Sequence, residues 1–228
     1  MLQILMAPIH GERMEKDLLQ KLSLDGRVIA TEWVSGFKCS KRNWDFTMGK
    51  LYVADLNELV VIDIAGGKIE KRIAVTGAEG LNDVSVSKSR YCLCIRFKIE
   101  KDFCCKDGVS ELLLDTLKGS NGVLMRGDDF YLLDAGGMFK MNKDKTLTKI
   151  TDGMDGGTDG IENISGNDFI VSCWQGVVWY VNADGSKQQL LDSRADKKNS
   201  ADIGMDAKNK IIYVPTFWRN TIVAYRVK

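Results

Sequence analysis

A tight-turn signal that returns about every forty residues constrains this chain more than any other feature. It reads Asp25-Gly26, Gly66-Gly67, Asp107-Gly108, Asp144-Lys145 and Asp184-Gly185, and the second members stand 41, 41, 37 and 40 residues apart. A second series keeps the same period: Leu51-Tyr52-Val53, Phe130-Tyr131-Leu132, Phe169-Ile170-Val171 and Ile212-Tyr213-Val214, with Tyr91 in the remaining slot. Two markers in one phase mean a repeated supersecondary unit that buries its apolar faces against its neighbours.

The content of each unit selects the architecture. Short β-branched and aromatic runs flank every turn, as in Leu59-Val60-Val61-Ile62 before Gly66-Gly67 and Val177-Val178-Trp179-Tyr180-Val181 before Asp184-Gly185. Such runs read as strands joined by tight hairpins. No window holds an apolar 3.6 period for three turns, which excludes helical repeats. Three to four short strands per unit match a propeller blade. The spacing therefore predicts an all-β fold, a six-bladed β-propeller forming one domain over 1–228. Its units fall at about 1–36, 37–77, 78–117, 118–153, 154–197 and 198–228, with the first and last blades incomplete.

Charge narrows the class of partner. Lys plus Arg number 32 and Asp plus Glu 31, so no net field draws the chain to nucleic acid or an acidic membrane. No apolar run approaches the ~20 residues of a membrane span. Met1-Leu2-Gln3-Ile4-Leu5-Met6-Ala7-Pro8 is too short for a signal-peptide core and lacks a basic flank. The sequence as it stands reads as soluble and cytoplasmic, with a small molecule as the expected ligand and the oligomeric state left open. Six cysteines, at 39, 92, 94, 104, 105 and 173, form no paired CxxC motif, and His10 is the only histidine. They read as small packed thiols, not as a zinc site.

In a propeller the innermost strands line a central channel, so equivalent positions forty residues apart meet at its mouth. Those positions are Asn82, Asn121, Asp159 and Asp202, spaced 39, 38 and 43 residues, each at the head of a short apolar strand. Asn and Asp there also suit Asx turns. Four in register, all amide or carboxylate, suit a hard divalent cation: Ca²⁺ first, with Mg²⁺ or Zn²⁺ as alternatives.

The segments Gly157-Thr158-Asp159-Gly160-Ile161-Glu162, Ser172-Cys173-Trp174-Gln175-Gly176, Ala201-Asp202-Ile203-Gly204-Met205-Asp206 and Tyr213-Val214-Pro215-Thr216-Phe217 resemble the C-terminal half of regucalcin/gluconolactonase-like six-bladed propellers. The bacterial members, often exported, are the nearest in pattern. Leu51-Tyr52-Val53-Ala54-Asp55 and Leu81-Asn82-Asp83-Val84 extend the resemblance into the N-terminal half. The resemblance implies a divalent metal at the channel mouth, with Asn121 and Asp159 as ligands, Asp159 as a base and Asn82 on the substrate side. Asp202 joins them from the phase of the repeat alone.

The implied activity is hydrolysis of a lactone or similar small cyclic ester, with Asp159 or Asp202 taking a proton from water. Loops on the same face (Asp134-Ala135-Gly136-Gly137, Trp174-Gln175 and Phe217-Trp218-Arg219) would shape the pocket, so Trp174, Phe217, Trp218 and Arg219 join Asn82 as substrate-binding candidates. The pattern departs from the family at the first blade. Its metal-ligand Glu has no counterpart, because Leu2-Gln3-Ile4-Leu5-Met6 reads as that blade's second strand; the innermost strand would then lie upstream of Met1, and a signal peptide lost from there would make the location periplasmic or secreted. The absent Glu keeps open a second reading, a rigid scaffold that binds a ligand or protein without chemistry.

Overall fold

A computed structural model describes residues 18–228 except 24, 39–42, 79, 88–91, 97–100, 107–108 and 220. The described residues form strands and turns, with no helix. In chain order come a two-stranded sheet of β1 (Leu18–Leu22) and β2 (Val28–Ser35), then a four-stranded sheet of β3 (Trp44–Thr47), β4 (Lys50–Asp55), β5 (Glu58–Asp63) and β6 (Lys68–Ala74). The next holds β7 (Leu81–Val86), β8 (Cys92–Arg96), β9 (Lys101–Lys106) and β10 (Val109–Leu114). It is followed by β11 (Val123–Arg126), β12 (Asp129–Leu133), β13 (Met138–Met141) and β14 (Leu147–Thr151). A fourth comprises β15 (Thr158–Ser165), β16 (Asp168–Cys173), β17 (Val177–Val181) and β18 (Lys187–Asp192). A three-stranded sheet of β19 (Gly204–Asp206), β20 (Ile211–Thr216) and β21 (Thr221–Arg226) ends the chain. Every sheet is an antiparallel meander, and the first strands β3, β7, β11, β15 and β19 lie side by side. The arrangement is propeller-like.

The sequence markers acquire positions. Each described turn of the first series joins a sheet's last two strands. Its second residue takes a left-handed backbone: Gly26 φ 84°, Gly67 φ 60°, Lys145 φ 66° and Gly185 φ 84°. That region admits glycine freely, which is why glycine recurs there; Lys145 occupies it without that freedom. Asp144 and Asp184 close their turns by accepting from Thr146 N at 3.1 Å and Ser186 N at 2.9 Å. The second series lies on β4, β12, β16 and β20, the second strand of each sheet. Asp107-Gly108, Tyr91 and the strand expected at Leu2–Met6 lie outside the described residues.

Both faces of the middle strands are buried, so they read as unbroken apolar runs. Leu51 and Val53 pack toward the first sheet with Leu19 and Val34, whereas Tyr52 and Ala54 pack toward the β7–β10 sheet with Val84 and Phe103. Leu132 likewise joins Leu114 and Val123, while its neighbours Tyr131 and Leu133 join Ile161 and Phe169. Ile164, Ile170 and Val178 pack against Ile212 and Val214 of the last sheet. Period-2 alternation thus hands successive residues to different inter-sheet layers. At ~1.5–3 kcal/mol per fully buried aliphatic side chain, these layers hold sheet to sheet. Cys104, Cys105 and Cys173 are buried without disulfides, as small packed thiols are.

Candidate active site at the heads of the inner strands

Hydrogen bonds that cross between sheets span one sequence repeat. Asp45 Oδ2 accepts from Val86 N at 2.7 Å and Ser85 Oγ at 3.0 Å. Asp83 Oδ2 accepts from Val123 N at 2.8 Å, and Ser85 Oγ accepts from Met125 N at 2.9 Å. The inner strand is the edge of its sheet, so its outward N–H groups have no ladder partner and need another acceptor. A carboxylate or hydroxyl from the preceding sheet supplies it.

The same step carries the polar heads of these strands. Asn82 Nδ2 donates to Asn121 Oδ1, and Asn121 Nδ2 donates to Asp159 Oδ1 at 2.8 Å and to the Thr158 carbonyl at 3.2 Å. Asn82, Asn121 and Asp159 therefore form one hydrogen-bonded run across three sheets. Asp202 sits beside it. A Cβ added at Gly160 would fall 2.2 Å from Asp202 Oδ1 and 2.6 Å from Ile203 N, and one at Gly122 would fall 2.1 Å from the Asp159 carbonyl. Glycine at 122 and 160 lets neighbouring backbones approach closely enough for these side chains to meet.

Electrostatics make this end unusual. Burial, assisted by the nearby Asp202 charge and opposed by the Asn121 hydrogen bond, raises the Asp159 carboxyl to about 7. Burial lifts Asp202 to about 6; the Ile203 N–H opposes the rise and the Asp45 charge adds to it. Glu162 is held well above the usual carboxylate range by burial and then by Asp202 and Asp45. Asp83 is raised well above it by burial and Asp202, against its bonds to Val123 and Val84. Asp45 is raised by burial against its bonds to Val86, Phe46 and Ser85. Asp45, Asp83, Asp159, Glu162 and Asp202 are thus linked through one another's charge, and among the described residues none forms an ion pair with Lys or Arg.

The aromatic candidates gather on loops at the same end. Trp174 N donates to the Gly157 carbonyl at 2.7 Å, tying its loop to the entrance of β15. Ring centroids of Trp174 lie 6.2 Å from Phe217 and 5.6 Å from Trp218, and those of Phe217 and Trp218 are 4.8 Å apart. Trp174 is 39% exposed and Trp218 58%. Arg219 reaches the carbonyls of Asp196 and Lys197 at 3.4 Å.

Three polar residues escaped the sequence reading. Asp45 stands 38 residues before Asp83, a repeat step that was legible but fell in a stretch lacking the turn markers. Glu162 was quoted only as part of a motif. Asp102, 1% exposed with its carboxyl raised by burial to about 7, accepts from Ser120 Oγ at 3.1 Å, one residue before Asn121; it has no counterpart in phase to reveal it. Asp83, quoted only within a motif, is a buried bridge to the next sheet.

Among the described residues, no group of three or more His, Cys, Asp or Glu is arranged to hold a metal ion. A cation at this mouth would rest on amide oxygens together with Asp159. That donor set fits a hard cation such as Ca²⁺, which accepts amide oxygens and irregular geometry.

No family model and no curated protein matches the chain. Solved structures do. A catalytically inactive variant of virginiamycin B lyase from Staphylococcus aureus, solved with quinupristin, superposes with a TM-score of 0.71 at 10% identity, over 93% of this chain and 74% of that one. A protein assigned to the gluconolactonases gives 0.67 at 14% identity, over 91% and 80%. The fold is that of the gluconolactonase-like propellers. A gluconolactonase from Xanthomonas campestris gives 0.59 at 14% identity over 73% of this chain, which spans 65% of its length, a little under two thirds. Identities this low speak for the fold and leave chemistry to the site. No helix among the described residues is long and apolar enough to cross a membrane.

Proposed function

We propose that the Asn82–Asn121–Asp159 end is the active site of a divalent-cation-dependent hydrolase of a lactone or similar small cyclic ester. The observation that carries this reading is the hydrogen-bonded run itself, which ends on a buried carboxyl raised to about 7. That value is the cation-free one; a bound cation would favour the ionised form and leave a carboxylate able to accept a proton at neutral pH.

Asn121 and Asp159 would hold the cation, with Asn82 beside them facing substrate. When bound, the cation supplies polarisation of the ester carbonyl and of a water. Asp159 takes the proton of the attacking water at its carboxylate oxygen, and Asn121 keeps that carboxylate oriented through its amide N–H. Asp202, raised to about 6, is the neighbouring acceptor that can share the proton. Trp174, Phe217 and Trp218 shield the approach from bulk water, and Arg219 lies beside them.

Calorimetric titration with Ca²⁺, Mg²⁺ and Zn²⁺, followed by a lactone panel with and without chelator, tests the reading. Binding and turnover that both vanish in Asp159→Ala are expected. Unchanged metal affinity in that variant would overturn it. A second reading, binding without chemistry, is favoured by one observation: the Asn121 amide oxygen already accepts from Asn82, and the run holds a single carboxylate. It predicts ligand binding with no turnover at any cation concentration.

A further inference from the structure

Four of the six cysteines lie on two neighbouring strands of one sheet, Cys92 and Cys94 on β8 and Cys104 and Cys105 on β9. The ladder between those strands sorts them. It sets Cys92 opposite Cys105, Leu93 opposite Cys104 and Cys94 opposite Phe103. On the far side of β9, Ser110 and Glu111 of β10 stand opposite Cys105 and Cys104.

Distance then decides which cysteines can join. Directly opposed residues of an antiparallel pair have Cα atoms about 4.5–5.5 Å apart, and a disulfide spans Cα separations of about 4.4–6.8 Å. Cys92 and Cys105 meet that condition. Cys94 stands on the diagonal from Cys105, at about 7–8 Å, which is beyond it. Cys104 and Cys173 have no cysteine opposite them in the described ladders. Of the described cysteines, one pair alone is directly opposed.

The surroundings favour a lasting bond. Cys105, a thiol in this structure, is 2% exposed in the apolar layer that holds Ala54, Leu59, Val84 and Phe103. Exposed disulfides are the readily reduced ones, and this position is closed to soluble reductants. Burial raises Cys104 to about 11 and Cys173 to about 12. Both therefore stay protonated at neutral pH and compete poorly in exchange, where the thiolate is the attacking form.

We infer that β8 and β9 carry an oxidation site, a cross-strand Cys92–Cys105 disulfide that closes as the chain folds in the presence of a disulfide oxidant. Each thiol gives up a proton and an electron as the sulfur–sulfur bond forms. Glutathione disulfide takes up both as its own bond breaks, leaving two molecules of reduced glutathione. The bond closes a loop of about 14 residues and staples the middle of the third sheet. The inference stands apart from the cation at the channel mouth, because none of Asn82, Asn121 and Asp159 lies on β8 or β9.

Refolding the reduced, denatured full chain in glutathione redox buffer or in dithiothreitol tests it, with unreduced tryptic mapping by mass spectrometry. The glutathione arm should yield peptide 91–96 linked to peptide 102–106, and the dithiothreitol arm should not. The double variant Cys94→Ser/Cys104→Ser, which keeps both partners, should retain the link, whereas Cys92→Ser and Cys105→Ser should each abolish it. Urea denaturation should give an unfolding constant about a hundredfold smaller for the oxidised chain than for the reduced one, the effect of closing a loop of this length. Cys92→Ser should show no such difference between buffers. Absence of the linked peptide in the parent or the double variant, its survival in either single variant, or equal stability of the oxidised and reduced chains would each overturn the inference.

Discussion

Replacing Asp159 by Asn isolates the cost of holding a carboxylate at the channel mouth. The amide oxygen can still accept from Asn121, whose Nδ2 lies 2.8 Å from Asp159 Oδ1, so the change removes charge and little else. Asp159 moves from an ordinary 3.8 to about 7. That is about three units, and at ~1.36 kcal/mol per unit ionisation costs the fold roughly 4 kcal/mol once the pH exceeds both values.

Below 3.8 the folded and unfolded chains both hold the proton, and the parent and variant differ little. Between 3.8 and 7 the unfolded chain gives its proton up while the folded chain keeps it, so parent stability falls as pH rises and then levels off. Urea denaturation from pH 4 to pH 8.5 should therefore show Asp159→Asn gaining on the parent steadily, by about 4 kcal/mol at the top of the range. Saturating Ca²⁺ should recover most of that loss in the parent at pH 8 and none in the variant, since a ligand stabilises only the state that binds it. A variant with the parent's pH profile, or one less stable than the parent at pH 8, would refute the argument.

Asp83→Ala leaves the buried N–H groups of Val84 and Val123 without their acceptor; at ~1–3 kcal/mol for each unsatisfied group, the urea midpoint should report a loss of about 2–6 kcal/mol. Gly122→Ala sets a Cβ 2.1 Å from the Asp159 carbonyl, so it should disrupt the mouth and abolish Ca²⁺ binding by calorimetry even where circular dichroism shows the sheets intact. Lys145→Gly, at a turn with φ 66°, should raise stability by about 1 kcal/mol in the same urea assay, because glycine occupies that region without a Cβ clash.

Much of the architecture was legible because a turn with a left-handed residue has few sequence solutions. Asp25-Gly26 and Asp184-Gly185 name their hairpins, and even Asp144-Lys145 keeps the aspartate that closes the turn. The heads of the inner strands were legible for a different reason: Asn82, Asn121 and Asp159 keep the period, and hydrogen bonds between sheets keep it too. What the sequence hid depends on how sheets meet. Whether Asp83 faces solvent, substrate or the next strand's N–H is decided by the approach of β11, which no local pattern encodes. Asp102 and Ser120 come together from a third strand and an inter-sheet loop, with no equivalent elsewhere in the chain. The aromatic cluster was visible residue by residue, but that Trp174, Phe217 and Trp218 meet is decided by how two loops from neighbouring sheets approach.

Every bond in the Asn82–Asn121–Asp159 run joins one sheet to the next, and none lies within a sheet. The site is therefore a gauge of alignment between rigid plates. Sliding one plate by about an ångström carries a 2.8 Å contact beyond hydrogen-bond range, while every ladder inside the plate stays whole. Under mild denaturant or warming, the layers between plates loosen before the plates themselves unravel. Ligand binding at the mouth should then fade while the β signature in the far ultraviolet persists, and the interval between the two transitions would measure how firmly the plates are keyed together.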